Sequence, residues 1–171
     1  MTFMAELLRP RTSTLLVLFA SAAALGSALF SQYAGGLEPC VLCIYQRMPY
    51  AATISFAVIG FVTASNPRAV GGLHGLAAAA FLIGAGIAAY HVGVEQQWWA
   101  GTEACTGAAT GSARSVDELR AQIMSAPTAR CDEVAWSLFG VSMAGYNFLF
   151  SLVLAGFAAL AARANFRREA A

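Results

Sequence analysis

Four apolar runs, roughly residues 14–33, 44–64, 70–92 and 138–162, set the strongest limit on what this chain can fold into. Each is close to the ~20 residues that an α-helix needs to cross the hydrocarbon core of a bilayer. Between them the chain is too poor in charge to cover a water-facing surface: 58% of its 171 residues are hydrophobic and 11% are charged, against roughly 25% charged in a soluble domain. The expected fold class is therefore all-α and integral to a membrane, a bundle of four transmembrane helices in one domain over residues 1–171. The first run follows Arg9 and Arg11 and contains small residues, features shared with signal peptides. It is long for that role, and three further spans follow, so it is taken as a span.

The run at 70–92 is dominated by alanine and glycine, which lets membrane helices approach closely and places it inside the bundle. Pro49 lies near the start of the second run, where a proline is tolerated or bends the helix slightly. Asn66-Pro67-Arg68 reads as a tight turn. The segment 93–137 is polar and holds six of the nine acidic residues. Tyr90, Trp98, Trp99 and Trp136 fall at span ends, as an interfacial aromatic belt requires.

There is no lysine, and Arg9, Arg11, Arg68, Arg163, Arg167 and Arg168 gather on one side of the predicted bundle. The positive-inside rule then places both termini in the cytoplasm, and the loops at 34–43 and 93–137 outside. No basic tract with interleaved aromatics points to nucleic acid. Within the second loop, Ser115-Val116-Asp117-Glu118 matches a capping box. Val116, Leu119 and Ile123 follow at helical spacing, which predicts a short amphipathic helix at the membrane surface, ended by Pro127.

The chemistry gathers at Glu38-Pro39-Cys40-Val41-Leu42-Cys43-Ile44-Tyr45-Gln46-Arg47. Pro39 suits the first turn of a helix, which would put Cys40 and Cys43 near its positive end, where a thiolate is favoured over a thiol. Arg47 shares a helix face with Cys43 and would lower the pKa of that thiol further. Cys105 and Cys131 form a second pair in the long loop, on the same outer side, where disulfides persist. Two pairs in one compartment allow a relay by thiol–disulfide exchange.

Such a relay needs an electron acceptor, and neither a nucleotide fingerprint nor a haem attachment motif is present. A lipid-soluble quinone could reach Cys43 and Arg47 laterally. An arginine in a membrane helix is expensive and points to function, whereas snorkelling to the interface is its plain alternative. His91 lies at the same membrane face and is either a second quinone contact or a helix-end hydrogen-bonding group. His74, near the opposite face, is expected to be structural.

Pro39-Cys40-Val41-Leu42-Cys43-Ile44-Tyr45-Gln46-Arg47 resembles the signature of the bacterial disulfide bond formation protein B (DsbB) family. Cys131 through Trp136 to Phe139-Gly140-Val141-Ser142-Met143 resembles that family's entry into its last helix, although Ala144 stands where relatives commonly carry proline. The order of spans and the distant pair in the third loop agree as well. The resemblance implies a thiol:quinone oxidoreductase of the bacterial inner membrane. It would reoxidise a periplasmic thioredoxin-fold dithiol oxidase (DsbA-like) and reduce ubiquinone or menaquinone. Carried over by position, Cys105 would be attacked by the partner's thiol, with Cys131 its disulfide mate. Cys40 and Cys43 would form the quinone-proximal pair, with Cys43 nearest the ring, and Arg47 would hold a quinone oxygen.

Two competing readings remain at this level. One is a non-catalytic four-helix interaction protein braced by two structural disulfides. Arg47 one turn from Cys43 speaks against it, since a brace has no need of that arginine. The other is a related bundle that reduces a quinone epoxide; it favours a fused or partnered thioredoxin domain.

Overall fold

The computed structural model describes residues 2–106, 115–125 and 129–169. Within them the chain forms α1 (Thr2–Leu7), α2 (Pro10–Tyr33), α3 (Val41–Val62), α4 (Pro67–Glu95), α5 (Glu103–Thr106) and α6 (Val116–Ser125). A hairpin of β1 (Ser137–Leu138) and β2 (Val141–Ser142) then leads into α7 (Met143–Glu169). Three of these helices, α2, α4 and α7, are long and apolar enough to cross a membrane. The helix of the second expected span, α3, has 22 residues. Tyr45, Gln46, Arg47, Pro49 and Tyr50 make its first half polar, so composition alone does not mark it as a span.

The long helices pack in the order α2, α3, α4, α7, with lighter contacts from α2 to α4 and α7. One apolar core joins all four through Val17, Tyr50, Ala57, Ala77, Ala78, Phe81, Leu154, Ala155 and Ala158. Most of these residues are small, which brings backbones close where lipid offers no hydrophobic drive for helix association. At Gly71 an added Cβ would lie 3.2 Å from the Phe166 ring and 3.3 Å from the Ala162 carbonyl oxygen. The α2–α3 contact adds a buried hydrogen bond between Ser21 and Thr53 at 2.9 Å. Large side chains such as Phe19, Val62, Ile83 and Val153 point outward, as a lipid-facing surface requires and a soluble monomer avoids.

Three boundaries differ from the sequence expectation. Pro39 does not open a helix: α3 begins at Val41, with Cys40 as its N-cap, and the Cys40 Sγ accepts from the Cys43 N–H at 3.3 Å. The last run does not begin as a helix at Leu138. Phe139 and Gly140 both have positive φ (50° and 77°), the backbone of a two-residue hairpin turn, and Ser137 pairs with Ser142 and Leu138 with Val141. Helix α7 starts only after Ser142, whose Oγ accepts from the Gly145 N–H at 3.1 Å in the manner of an N-cap. The third run extends to Pro67–Glu95, because the Asn66 side chain accepts from the Arg68 and Ala69 N–H groups and Pro67 supplies a first-turn proline. Helix α3 continues through Pro49. The ring of Pro49 lies where a Cβ on Gly84 would come within 3.3 Å.

In the long loop, Ser115 Oγ accepts from the Glu118 N–H at 3.1 Å at the head of α6. Of the expected apolar stripe only the Val116 side chain is described, and it is exposed; Pro127 lies outside the described residues. At the end of α4, Trp99 stacks on Tyr90 with centroids 5.9 Å apart and donates to the Tyr90 carbonyl at 3.0 Å. Its indole occupies the space where a Cβ on Gly93 would sit, so that position requires glycine.

Candidate thiol–disulfide site

At the outer end of the bundle the two cysteine pairs meet. Cys40, Leu42, Val94, Cys105 and Cys131 form one buried cluster, with Cys43, Ile87 and Ala129 packed against it. Cys105 sits on α5, which rests on α3. It is joined to Cys131 by a disulfide that closes a 26-residue separation, and the Cys131 N–H donates to the Cys105 carbonyl at 3.1 Å. Both of these cysteines are fully buried. Next to Cys131, Arg130 makes a two-pronged ion pair with Asp132 at 3.0 and 2.6 Å. The Arg130 guanidinium holds the half-buried Asp132 carboxyl below its ordinary range, chiefly through these hydrogen bonds.

Cys40 and Cys43 are free thiols with their sulfurs 2.7 Å apart. Cys40 is the more buried; its sulfur accepts from the Cys43 N–H at 3.3 Å, and the Cys43 sulfur and His91 Nε2, at 3.6 Å, also lie against it. These contacts push its pKa down to about 4, with the Cys43 hydrogen bond the largest cause and the His91 contacts next among the lowering ones, against the opposing effect of burial. The Cys43 N–H and the His91 ring thus favour negative charge on the Cys40 sulfur. Arg47 reaches across to α2, where it donates to Gln32 Oε1 at 2.6 Å.

His91 is 3% exposed and sits behind Cys40. Its Nδ1 is 2.8 Å from Gln46 Nε2, and its Nε2 is 3.9 Å from Glu95 Oε1. Glu95 Oε2 accepts in turn from Ser142 Oγ at 2.5 Å. Behind Gln46 the polar chain continues: Asn147 Nδ2 donates to Gln46 Oε1 at 2.6 Å, and Tyr50 donates to Asn147 Oδ1 at 2.5 Å. His74, by contrast, is bound through Nδ1 to the Val70 carbonyl at 2.9 Å, far along α4 from the thiols.

Sequence reasoning singled out the four cysteines, Arg47 and His91, and missed Gln32, Gln46, Glu95, Ser142 and Asn147. A signal was available for Gln46 and Asn147, because polar side chains inside membrane helices are costly unless paired. Their partners lie 45 and 101 residues away in the chain, so the pairing itself was not legible. On another face of α3, toward α4, an apolar groove of about 350 Å³ is lined by Tyr45, Met48, Pro49, Ala52, Ala80, Ile83 and Ile87. Ile87 also packs against the cysteine cluster, so one end of the groove lies beside the thiols.

A family model described as Disulfide bond formation protein DsbB matches residues 10–161. Among curated relatives, the Disulfide bond formation protein B of Xanthomonas euvesicatoria pv. vesicatoria is 30% identical over 149 residues, covering 85% of this chain and 86% of the relative. The protein of the same name from Xylella fastidiosa strain 9a5c is 32% identical over 136 residues, or 77% of each chain. No solved structure matches the chain.

Proposed function

Because the chain belongs to the disulfide bond formation protein B family, a membrane family of disulfide-forming oxidoreductases, we propose that it works as a thiol:quinone oxidoreductase. It draws two electrons from a periplasmic thioredoxin-fold dithiol oxidase and delivers them to ubiquinone or menaquinone. It does so in the bacterial inner membrane, with α3 as the fourth span, both termini cytoplasmic and all four cysteines periplasmic. The observation that carries this reading is the single buried cluster shared by Cys40, Cys105 and Cys131.

The chemistry balances in three exchanges. A partner thiolate attacks Cys105 Sγ, giving a mixed disulfide and a Cys131 thiolate; the partner's second thiol then displaces Cys105 and leaves as a disulfide. The reduced loop pair next attacks the Cys40–Cys43 disulfide, restoring Cys105–Cys131 and leaving Cys40 and Cys43 as a dithiol. That dithiol closes to a disulfide again as its two electrons and two protons pass to the quinone.

The quinone supplies a two-electron acceptor soluble in the bilayer, and the apolar groove ending at Ile87 suits its approach. Cys43 is the less buried thiol and faces the acceptor, with Arg47 on the same helix face donating to a quinone oxygen. The experiment is to add a reduced thioredoxin-fold partner and quinone to the purified protein and follow quinone absorbance. Equal consumption by wild type and Cys43→Ser would sink the relay.

The complete burial of Cys105 and Cys131 favours a second reading, a loop disulfide that only braces the structure. A brace resists exchange with a reduced partner in the folded protein, whereas a relay disulfide exchanges.

A further inference from the structure

Two amide side chains behind Cys40 have their orientations set by one backbone group. The Gln46 nitrogen lies 3.2 Å from the Leu42 carbonyl oxygen as well as 2.8 Å from His91 Nδ1. A carbonyl can only accept, so the group facing it is the amide NH₂, and that same NH₂ donates to His91 Nδ1. The Gln46 oxygen then needs a donor and has one in Asn147 Nδ2 at 2.6 Å; the Asn147 oxygen accepts from Tyr50 at 2.5 Å. The polarity of the whole chain follows from the Leu42 carbonyl. An imidazole whose Nδ1 accepts carries its proton on Nε2. That N–H has the Cys40 sulfur at 3.6 Å, within reach for a hydrogen bond to sulfur, and Glu95 Oε1 at 3.9 Å, too far for one to oxygen.

We infer that Gln46, held by Leu42 and Asn147, is a positioning residue that fixes His91 as the Nε2–H tautomer, directing a hydrogen-bond donor at the Cys40 sulfur. The role assigned to Cys40 in turnover rests on the proposed function; the tautomer does not. The same arrangement answers what the cluster of Cys40, Cys43 and His91 is for. Their ligand atoms lie within 4.8 Å of one another, close enough for a thiophilic metal. A metal would need the Nε2 lone pair, however, and therefore a proton on Nδ1, where the Gln46 NH₂ already points. Gln46 keeps the dithiol available for exchange by holding His91 as a donor to sulfur.

The test uses the full-length protein in lipid nanodiscs, reduced, with ¹⁵N-labelled histidine. Comparison with His91→Ala separates the His91 signals from those of His74. Wild type is expected to show the Nε2–H tautomer, and Gln46→Glu the Nδ1–H form, because a carboxylate accepts from Nδ1–H. A wild-type Nδ1–H signal overturns the inference, as does a Gln46→Glu spectrum unchanged from wild type. Titration with Zn²⁺ gives a second readout: the Gln46→Glu protein is expected to bind at least tenfold more tightly than wild type, since a carboxylate behind a ligating histidine strengthens the site. Tight wild-type binding that disappears in His91→Ala overturns it. In turnover, Gln46→Leu should slow quinone reduction about tenfold, the order of one oriented hydrogen bond to a charged sulfur, and leave partner exchange at Cys105 unchanged. A wild type with the Nε2–H tautomer but no quinone reduction would overturn the proposed function and leave the positioning role standing.

Discussion

The two cysteine pairs share a cluster but are built in opposite ways. Cys40 and Cys43 belong to the head of a helix: Cys40 is the N-cap of α3, its sulfur accepts from the Cys43 N–H, and a polar chain behind it runs on to α7. Cys105 and Cys131 belong to a loop, one on the four-residue helix α5 and the other on irregular backbone, and are fully closed off from solvent. One pair is held by fixed hydrogen bonds and is partly open; the other is closed as a disulfide and sealed. A thiol in a fixed site can have its charge set, whereas a sealed disulfide on a loop can be exposed by moving the loop without unfolding a helix. In the proposed relay, that difference suits the first pair to electron delivery and the second to partner exchange.

The sharpest break in that comparison is Cys43→Ser. Quinone consumption should fall to background while the partner still forms a mixed disulfide at Cys105, read on non-reducing gels. If both activities fell together, the pairs would not be divided in labour. Cys131→Ala comes next: it should trap the Cys105–partner mixed disulfide and lower stability by roughly 2–4 kcal/mol for the lost loop closure, seen as a lower unfolding temperature. Failure to trap would reverse or void the assignment of Cys105.

Arg47→Ala is expected to raise the apparent KM for quinone about tenfold, the order of one charge-assisted hydrogen bond, with exchange at Cys105 intact. Unchanged quinone kinetics would reduce Arg47 to an interface anchor held by Gln32.

A pH titration sharpens the Cys40 side. In a reduced Cys105→Ser/Cys131→Ser protein, thiolate absorbance should persist at pH 7 and vanish only as pH falls toward the Cys40 value of about 4. The sign follows from a thiol pKa lowered on folding. The stability from the thiolate is fully present above the ordinary thiol pKa and is lost as pH falls through the folded value. His91→Ala should move the midpoint upward. The smallest effect is expected at Asp132→Asn, read as an unfolding temperature close to wild type: its ion pair with Arg130 lies at the protein surface, where solvent screens such pairs.

Much of this was legible in order of range along the chain. The apolar runs overlap α2, α4 and α7, although α7 (Met143–Glu169) both starts and ends later than the run at 138–162. The exceptions are instructive: Phe139-Gly140 diverts the start of the last run into a hairpin through two positive-φ residues, and Cys40 displaces Pro39 from the helix by capping it. Both are local conformational choices that hydropathy does not register. At the site, the sequence marked the cysteines by spacing and Arg47 by its helical register.

By itself, then, the sequence determined the membrane class, the helical runs and the shared helical register of Cys43 and Arg47, because those depend on neighbours a few residues apart. Tertiary structure alone decided that Cys105–Cys131 is buried against Cys40, that Arg47 meets Gln32, and that His91 stands between Cys40 and Gln46. Those contacts depend on how α3 is turned toward α2, α4 and α7. Hydrogen-bond polarity then passes through them from the Leu42 carbonyl, along partners that no local pattern connects.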